Sequence, residues 1–200
     1  MELAAARNAE GHAVYGVTKF ADLTLAEFKR QYTGRNSSSS RRPADYDALA
    51  LGNVSAVTAI DWRTKGAVTP VKDQGNCGSC WTFGTTGAIE GAWFVAGNKL
   101  ISLSEQQILD CDTKTDNGCD GGEQATALDY VIKAGGIEGE DDYAKYTHKQ
   151  HKCTFATSKV RATIKSWKQL STDEATIASQ VATVGPVRQS NARCDPRNRK

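Results

Sequence analysis

The sequence predicts an α+β protein, because several segments with helical spacing are followed by one segment that alternates like a strand. Helix starts are indicated where Ser or Thr precedes Glu or Gln by three residues, as at Thr24 with Glu27 and at Ser104 with Gln107. The alternating segment is residues 160–167. A chain of 200 residues is long enough for one domain or for two small ones.

The helices are predicted from apolar spacing and from the residues that begin and end it. The first begins after Thr24 and places Leu25, Phe28 and Tyr32 on one side before Gly34 ends it. Four more helices are predicted, from about Cys80 to Ala96, from Ser104 towards Cys111, from about Glu123 to Ala134, and from Ser171 to near Gly185. Helices therefore dominate the first part of the chain.

Composition and charge exclude some classes of function. The chain is 39% hydrophobic and 24% charged, which is typical of a soluble globular protein, and it holds no apolar run of membrane-spanning length. A net charge of +2 indicates no nucleic-acid partner. Residues 188–200 carry +4, so the remaining residues sum to −2. Such a basic tail is typical of a solvated segment.

Six cysteines indicate an oxidising compartment if most of them form disulfides. The sequence alone leaves several pairings open. The first residues contain no secretory signal, so we expect such a signal, if the protein has one, to lie upstream. The cysteines are Cys77, Cys80, Cys111, Cys119, Cys153 and Cys194.

The segment QGNCGSCW, from Gln74 to Trp81, has the pattern of a nucleophile site. Cys80 falls at the first turn of a predicted helix, where the dipole and the N–H groups favour its thiolate. The Gln74 amide and the Cys80 N–H would donate to a developing oxyanion. A base is also required, and the signature for this arrangement places a histidine and an asparagine about 130 to 150 residues after the cysteine. Those positions lie beyond Lys200.

Taken together, the motifs resemble those of the papain-like cysteine proteases. Five of them occur in the order of that family: DWR at 61–63, QGNCGSCW at 74–81, LSEQQILDC ending at Cys111, GCDGG at 118–122 and GPV at 185–187. Gly16, Phe20 and Asp22 are similar to the end of the family's inhibitory pro-segment, with Thr18 where that pattern has asparagine. The resemblance implies a papain-like fold whose helical left domain is present and whose β-rich right domain is only begun.

The resemblance also implies roles for individual residues. Cys80 would be the nucleophile and Gln74 the oxyanion donor, while the disulfides would be Cys77–Cys119 and Cys111–Cys153. The substrate would contact Gly121, Gly122, Glu123, Gln124 and Trp81. No cofactor or metal is implied. The partner would be a peptide or protein substrate and the protein a monomer, located in a lysosome or vacuole or secreted.

The predicted organisation has five segments. They are a remnant of the pro-segment (1–34), a serine-rich linker or activation region (35–55), the helical domain with Cys80 (56–159), the start of the second domain (160–187) and an unrelated basic tail (188–200). Because the histidine and asparagine are absent, we predict a truncated endopeptidase with negligible activity. The alternative is a non-catalytic decoy that binds peptides or an active relative.

Some weaker patterns in the sequence have simpler interpretations. The pair Cys77 and Cys80, together with His148 and His151, suggests zinc, but the spacing matches no common finger. Both histidines are predicted to lie on a solvated loop of the helical half and not to act as the base. Asn36 and Asn53 stand in glycosylation sequons, His12 falls in the pro-segment remnant, and Cys194 has no partner in the family scheme.

Overall fold

The computed structural model describes residues 16–28, 31, 59–170 and 173–187. Its helices are α1 (Leu25–Phe28), α2 (Cys80–Val95), α3 (Glu105–Cys111), α4 (Gln124–Ala134) and α5 (Glu174–Thr183), its strands are β1 (Ile137–Glu138) and β2 (Val160–Ala162), and single 3-10 turns occupy Gly118–Asp120 and Thr157–Lys159. Within these ranges, no helix has both the length and the apolar character needed to cross a bilayer. Several predictions fall outside the described residues: the linker 35–55, the sequons at Asn36 and Asn53, His12, Tyr32, Gly34, Ser171, Cys194 and the tail 188–200.

Helix α1 begins with the capping box that the sequence predicts. The Glu27 N–H donates to Thr24 Oγ1 at 3.2 Å, and the Thr24 N–H donates to Glu27 Oε2 at 2.8 Å. Phe28 packs edge-on against Phe20, with ring centroids 5.5 Å apart. Leu25 was expected on the same apolar side but is 46% exposed. The first described segment therefore holds its single helical turn mainly by capping.

Helix α2 forms the centre of the core. Its residues Trp81 and Ile89 are fully buried, and it packs against α3 and α4. Gly91 faces Pro186, and a Cβ at Gly91 would lie 2.8 Å from Pro186 Cγ. A glycine thus allows the segment after α5 to approach α2 closely. The other members of the buried apolar cluster are Cys77, Leu103, Ile108, Leu109, Ala127, Val131, Ile137 and Ala162.

The start of α3 differs in one respect from the predicted capping box. Ser104 Oγ accepts from the Gln107 N–H at 3.1 Å, as expected. Gln107 does not return the bond: its Oε1 accepts from the N–H of Glu138 at 2.7 Å, and the Ser104 N–H donates to the Glu138 carbonyl at 3.1 Å. Glu138 of strand β1 therefore bonds both groups that a capping box would join, the Gln107 side chain and the Ser104 N–H, because the strand lies directly beside the start of the helix.

Helix α4 ends as the sequence predicts. Gly135 adopts the left-handed conformation, with φ 85°, which glycine adopts without strain. The Gly136 N–H donates to the Val131 carbonyl at 3.0 Å. Two consecutive glycines thus end the helix and turn the chain into β1.

The strand that begins at Val160 is shorter than predicted. Strands β1 and β2 pair antiparallel, with Ile137 opposite Ala162 and Glu138 opposite Val160. The prediction of a strand over 160–167 is wrong in extent, since β1 is two residues long and offers no partner beyond Ala162. Because Ala162 belongs to the same core as the helices, β2 packs on the helical part of the chain.

Helix α5 begins later than predicted. Its N-cap is Asp173, whose carboxylate accepts from the Thr176 N–H at 2.7 Å. The predicted start, Ser171, lies outside the described residues. The helix docks on the rest of the chain through Trp62, whose indole N–H donates to the Val181 carbonyl at 2.6 Å. Residues 173–187 are therefore in contact with the segment that precedes α2.

Two disulfides join Cys77 to Cys119 and Cys111 to Cys153, which are the pairs that the family resemblance implies. Each stabilises the fold by about 2–4 kcal/mol in the usual range for such bridges. Cys77, one of the four residues that suggested zinc, is bonded to Cys119 and so is not available as a thiolate ligand. Among the described residues, no His, Cys, Asp or Glu side chains are grouped so that three or more could hold a metal ion.

Lys72 is the cation at the centre of a buried charge cluster. Its Nζ lies 2.7 Å from Glu105 Oε1, 3.4 Å from Glu90 Oε1 and 3.5 Å from Glu140 Oε2. Burial alone would lower the pKa of Lys72, but the neighbouring carboxylates outweigh this effect and the pKa is raised. The Glu90 and Glu105 side chains are 3% and 2% exposed, so loss of Lys72 would leave two buried carboxylates without this counter-charge.

Asp112 and Asp116 form a buried carboxyl pair near the end of α3. They are 4% and 6% exposed. Asp112 Oδ1 accepts from the Thr115 hydroxyl at 3.1 Å, whereas no donor among the described residues reaches Asp112 Oδ2. Burial, reinforced by the contact with Asp116, raises the pKa of Asp112 to about 8. One proton therefore remains on this pair at neutral pH.

We expect Lys72→Met to lower the free energy of unfolding by about 3–5 kcal/mol, because two buried carboxylates lose their counter-charge. Urea unfolding followed by far-ultraviolet circular dichroism measures the change. Arg63→Met is the matched control, since it removes the exposed ion pair with Asp61 and should hardly move the midpoint. Equal effects of the two substitutions would contradict this account of the cluster.

We expect the free energy of unfolding to fall as pH rises from about 4 towards about 8, owing to Asp112. The unfolded chain loses this proton near its ordinary pKa of 3.8, whereas the folded chain keeps it until about pH 8, so rising pH favours unfolding across that window. Asp112→Asn should flatten this decline. Thermal unfolding at a series of pH values measures it, with the exposed Asp120→Asn as control, and an unchanged slope in Asp112→Asn would refute the assignment.

Candidate active site

The residues from Gln74 to Ser79 form a turn that leads directly into α2. Gly75 has φ 56°, and a Cβ at this position would collide with the ring of His148. The Gly75 N–H donates to Asp73 Oδ1 at 2.9 Å. Only glycine fits both the backbone conformation and the close approach of the histidine, so the turn keeps one shape.

Cys80 is the first residue of α2 and takes part in neither disulfide. Its side chain is half-buried. The N-terminus of a helix carries partial positive charge and N–H groups that stabilise an anion. A helix N-terminus is a position at which cysteines in proteins ionise more easily, and the thiolate is the reactive form of cysteine.

Gln74 is the first residue of the turn that precedes Cys80. Its Nε2 donates to the carbonyl of Cys77 at 2.9 Å, so the amide is held against the backbone of this turn. The two residues that the sequence singled out for catalysis therefore stand at the start of the turn and directly after it. A carboxamide nitrogen carries two hydrogens, which makes it a suitable donor to a developing oxyanion.

The backbone at Gly121 and Gly122 forms an extended shelf after the 3-10 turn. Gly121 has φ 118°, which only glycine adopts readily. A Cβ at Gly122 would lie 2.6 Å from the Trp81 ring and 2.7 Å from Asp116 Oδ1. The Glu123 N–H donates to the same Asp116 oxygen at 2.7 Å. The shelf is therefore held from beneath by two side chains.

Trp81 is a correction to the predicted substrate contacts. Its side chain is fully buried, and its indole N–H donates to the Gly118 carbonyl at 3.1 Å. A side chain in this position supports Gly122 from inside the core and does not reach a bound peptide. Glu123 and Gln124 differ from it, because both are half-buried at the start of α4 beside the shelf.

Tyr146 is a residue at this site that the sequence analysis missed. Its hydroxyl donates to the Gln74 carbonyl at 2.9 Å and lies 2.5 Å from Ser79 Oγ. Its ring packs edge-on against Phe83 with centroids 5.0 Å apart. The segment that carries Tyr146 is distant in sequence from Gln74, and no local pattern indicates the contact.

The two described histidines lie on the same segment as Tyr146. His148 Nδ1 is 3.0 Å from the Gln74 carbonyl, and because a carbonyl only accepts, this nitrogen carries the hydrogen. His151 Nε2 contacts Thr147 Oγ1 at 2.7 Å. His148 is exposed, as a solvated loop predicts, yet it packs on the turn that precedes Cys80.

The segment 16–28 touches the chain next to Gln74. Lys19 Nζ lies 3.2 Å from Asp73 Oδ2, and both side chains are exposed. The Gly75 N–H and then Lys19 hold the pKa of Asp73 below its ordinary value. An exposed ion pair of this kind contributes little to stability, but it shows where the first segment contacts the candidate site.

Comparison with known proteins identifies the family. The model of the papain family of cysteine proteases matches residues 56–195. This range includes the turn from Gln74 to Ser79, the shelf and α5. It also extends into residues 188–195, which the sequence analysis assigned to an unrelated tail, and that assignment stays a prediction.

Two curated relatives illustrate the similarity. Cysteine proteinase 15A of Pisum sativum is 45% identical over 190 residues, which cover 90% of this chain and 52% of that protein. Cysteine proteinase 1 of Dictyostelium discoideum is 41% identical over 192 residues, which cover 90% of this chain and 56% of that protein. The chain therefore spans about half the length of the curated relatives it matches.

Solved structures agree with the sequence match. Procathepsin L2 from the larval midgut of Tenebrio molitor has a TM-score of 0.76 and 34% identity, covering 91% of this chain and 61% of that one. The precursor of stem bromelain has a TM-score of 0.65 and 31% identity, covering 82% and 52%. These likenesses establish an α+β, papain-like fold with part of the right domain. The chain belongs to the papain family of cysteine proteases.

Proposed function

We propose that Cys80 is the nucleophile of a thiol endopeptidase that acts on peptide or protein substrates. The observation that carries this proposal is the position of Cys80 as the first residue of α2, directly after the turn that begins at Gln74. Cys80 takes part in neither disulfide. A thiolate at a helix N-terminus beside amide donors is the arrangement that acyl transfer requires. Family membership supports the same reaction class.

In the proposed reaction, the Cys80 sulfur attacks the carbonyl carbon of the scissile peptide bond. The carbonyl oxygen becomes an oxyanion that accepts from the Gln74 amide and from the Cys80 N–H. An imidazolium then protonates the leaving amine as the carbon–nitrogen bond breaks, which leaves a thioester on Cys80. Water hydrolyses this thioester and restores the thiol.

We propose that the substrate lies extended along the shelf at Gly121 and Gly122. Glycines without side chains let a peptide backbone approach and form main-chain hydrogen bonds. The bond from the Glu123 N–H to Asp116 orients the end of this shelf. Glu123 and Gln124, at the start of α4, would form one wall of the pocket for the substrate residue that lies two before the scissile bond.

Neither histidine among the described residues fits the role of the imidazole that this reaction needs. The ring contacts of His148 and His151 go to the Gln74 carbonyl and to Thr147. Their spacing from Cys80 also differs from that of the family's base. We therefore propose that these 200 residues, by themselves, have negligible turnover.

The organisation of the chain is a further part of the proposal. We divide it into a pro-segment remnant, a linker, the helical domain over 56–159, the start of the second domain over 160–187 and a basic tail. The contact of Lys19 with Asp73 supports a covering role for the first segment. Two disulfides favour an oxidising compartment, such as a lysosome, a vacuole or the extracellular space. We propose a monomer with no membrane or nucleic-acid partner.

The second candidate function is a non-catalytic binding protein that captures peptides or an active relative. The observation that favours it is the packing of Gly122 on Trp81 and Asp116. The surface on which a peptide would lie therefore does not depend on a catalytic base. Half a cleft binds weakly, since an extended peptide needs pockets on both sides. Co-purification with an active papain-family protease would favour this function over the first.

We expect no measurable hydrolysis of a fluorogenic dipeptide amide by these 200 residues, because we assign neither His148 nor His151 as the acid that protonates the leaving amine. Cys80→Ala is the control for any background signal. Turnover that disappears in Cys80→Ala would overturn the proposal of inactivity. Loss of the same turnover in His148→Ala would then identify that imidazole as the base.

We expect Gly122→Ala to lower the rate at which a dipeptide chloromethyl ketone alkylates Cys80 by at least about tenfold, relative to iodoacetamide in the same variant. The added Cβ collides with Trp81 and Asp116 and displaces the shelf, whereas iodoacetamide needs no shelf. Peptide mapping by mass spectrometry measures both rates.

Gly87→Ala is the control for this experiment, since a Cβ at Gly87 in α2 meets nothing within 4 Å. Its ratio of rates should equal that of the wild-type chain. If Gly122→Ala leaves the ratio unchanged while the protein stays folded, the shelf does not hold the peptide.

A further inference from the structure

The Tyr146 hydroxyl contacts both ends of the turn from Gln74 to Ser79, which we call the nucleophile turn. It donates to the Gln74 carbonyl at 2.9 Å and lies 2.5 Å from Ser79 Oγ, the residue directly before Cys80. A tyrosine hydroxyl has one proton and two acceptor sites, so it can hold both partners at once. The group thus joins the oxyanion side of the turn to the start of α2.

Ser79 is the N-cap of α2 but does not cap it. In most helices the hydroxyl of an N-cap serine accepts from one of the first N–H groups of the helix. Here the Ser79 side chain makes no such bond, and its backbone has φ −98° and ψ 17° instead of the usual extended conformation. Its Oγ is instead directed to Tyr146 and to the Cys77 carbonyl, 3.4 Å away.

This diversion has a chemical consequence for Cys80. A capping hydroxyl would compete with an anion for the N–H groups at the helix start, because both are acceptors for the same donors. While Ser79 Oγ is held away, the N–H groups and the partial positive charge at the start of α2 remain available to the Cys80 sulfur. The serine at this position is therefore useful to the site only while another group holds it.

We propose that Tyr146 is a positioning residue for the nucleophile: by holding Ser79 Oγ, it prevents the serine from capping α2 and so maintains the reactivity of Cys80. This inference rests on the proposed role of Cys80 as nucleophile. Tyr146 acts through Ser79 and does not itself contact the reacting atoms of a substrate.

The surroundings of Tyr146 fix its hydroxyl in place. Its ring packs between Phe83 on α2 and His148 on its own segment, with centroids 5.0 Å and 4.9 Å away. Burial raises the pKa of Tyr146, so the hydroxyl keeps its proton at neutral pH. The titratable groups that face it are Cys80 on α2, Glu105 on α3, Asp73 before the turn, and His148.

The test is the pH profile of Cys80 alkylation by iodoacetamide in the 200-residue chain, with the modification at Cys80 followed by peptide mapping. In Tyr146→Phe, Ser79 is released to cap α2, and the midpoint of the profile should rise by about half a pH unit or more. Below the midpoint, this shift corresponds to an alkylation rate about threefold lower.

The matched control is Tyr143→Phe. Tyr143 lies on the same segment, but its hydroxyl bonds Asp110 and the Thr154 N–H, away from the nucleophile turn. This substitution should leave the midpoint unchanged. A second control repeats the comparison in a His148→Ala background, which removes the imidazole that contacts the Gln74 carbonyl and packs on the Tyr146 ring.

A double-mutant cycle with Ser79→Ala tests the route of the effect. Without Ser79 Oγ there is no competing acceptor, so Tyr146→Phe should no longer shift the midpoint. Ser79→Ala alone should not raise the midpoint of the alkylation profile. If Tyr146→Phe fails to fold, the midpoint measured in Ser79→Ala serves as the test. Circular dichroism establishes folding of each variant.

Three results would overturn the inference: an unchanged midpoint in folded Tyr146→Phe, an equal shift in Tyr143→Phe, or a rise in Ser79→Ala as large as that expected for Tyr146→Phe. The wild-type midpoint tests the proposed function separately. A value near that of an ordinary thiol, about 8.5, would count against Cys80 as the nucleophile, whatever the differences among variants.

Discussion

The disulfide between Cys77 and Cys119 is the constraint on which the arrangement of the site depends. One cysteine belongs to the turn before α2 and the other to the 3-10 turn before the glycine shelf, and the Gly78 N–H also donates to the Cys119 carbonyl at 2.9 Å. The covalent link and this hydrogen bond set the distance between the thiol and the surface along which a peptide would lie. Separate segments of the chain thereby form one site.

The second disulfide has a comparable effect on the other side of the turn. Cys153 ends the segment that carries Tyr146 and His148, and its bond to Cys111 holds that segment against α3. Both residues then reach the carbonyl of Gln74. The Gln74 end of the turn is thus held by groups from a distant part of the chain.

The sequence was sufficient for features that depend on neighbouring residues. The capping box of α1, the glycines that end α4 and the cysteine at the first turn of α2 follow from local patterns. Features that depend on tertiary contact were missed or misplaced. Trp81 was expected at the substrate, although it is buried under Gly122, and Tyr146 gave no signal because its partners lie far away in sequence. The strand after Val160 was overestimated, since alternation does not reveal how short its partner is.

The packing of Trp81 beneath Gly122 links two parts of the site mechanically. The indole belongs to the residue that follows Cys80 directly, so the first turn of α2 carries both the thiol and the side chain on which Gly122 packs. A substitution that displaces the Trp81 ring would therefore change the position of Gly122 relative to the Cys80 sulfur. Packing inside the core thus acts on the spacing between the thiol and the shelf.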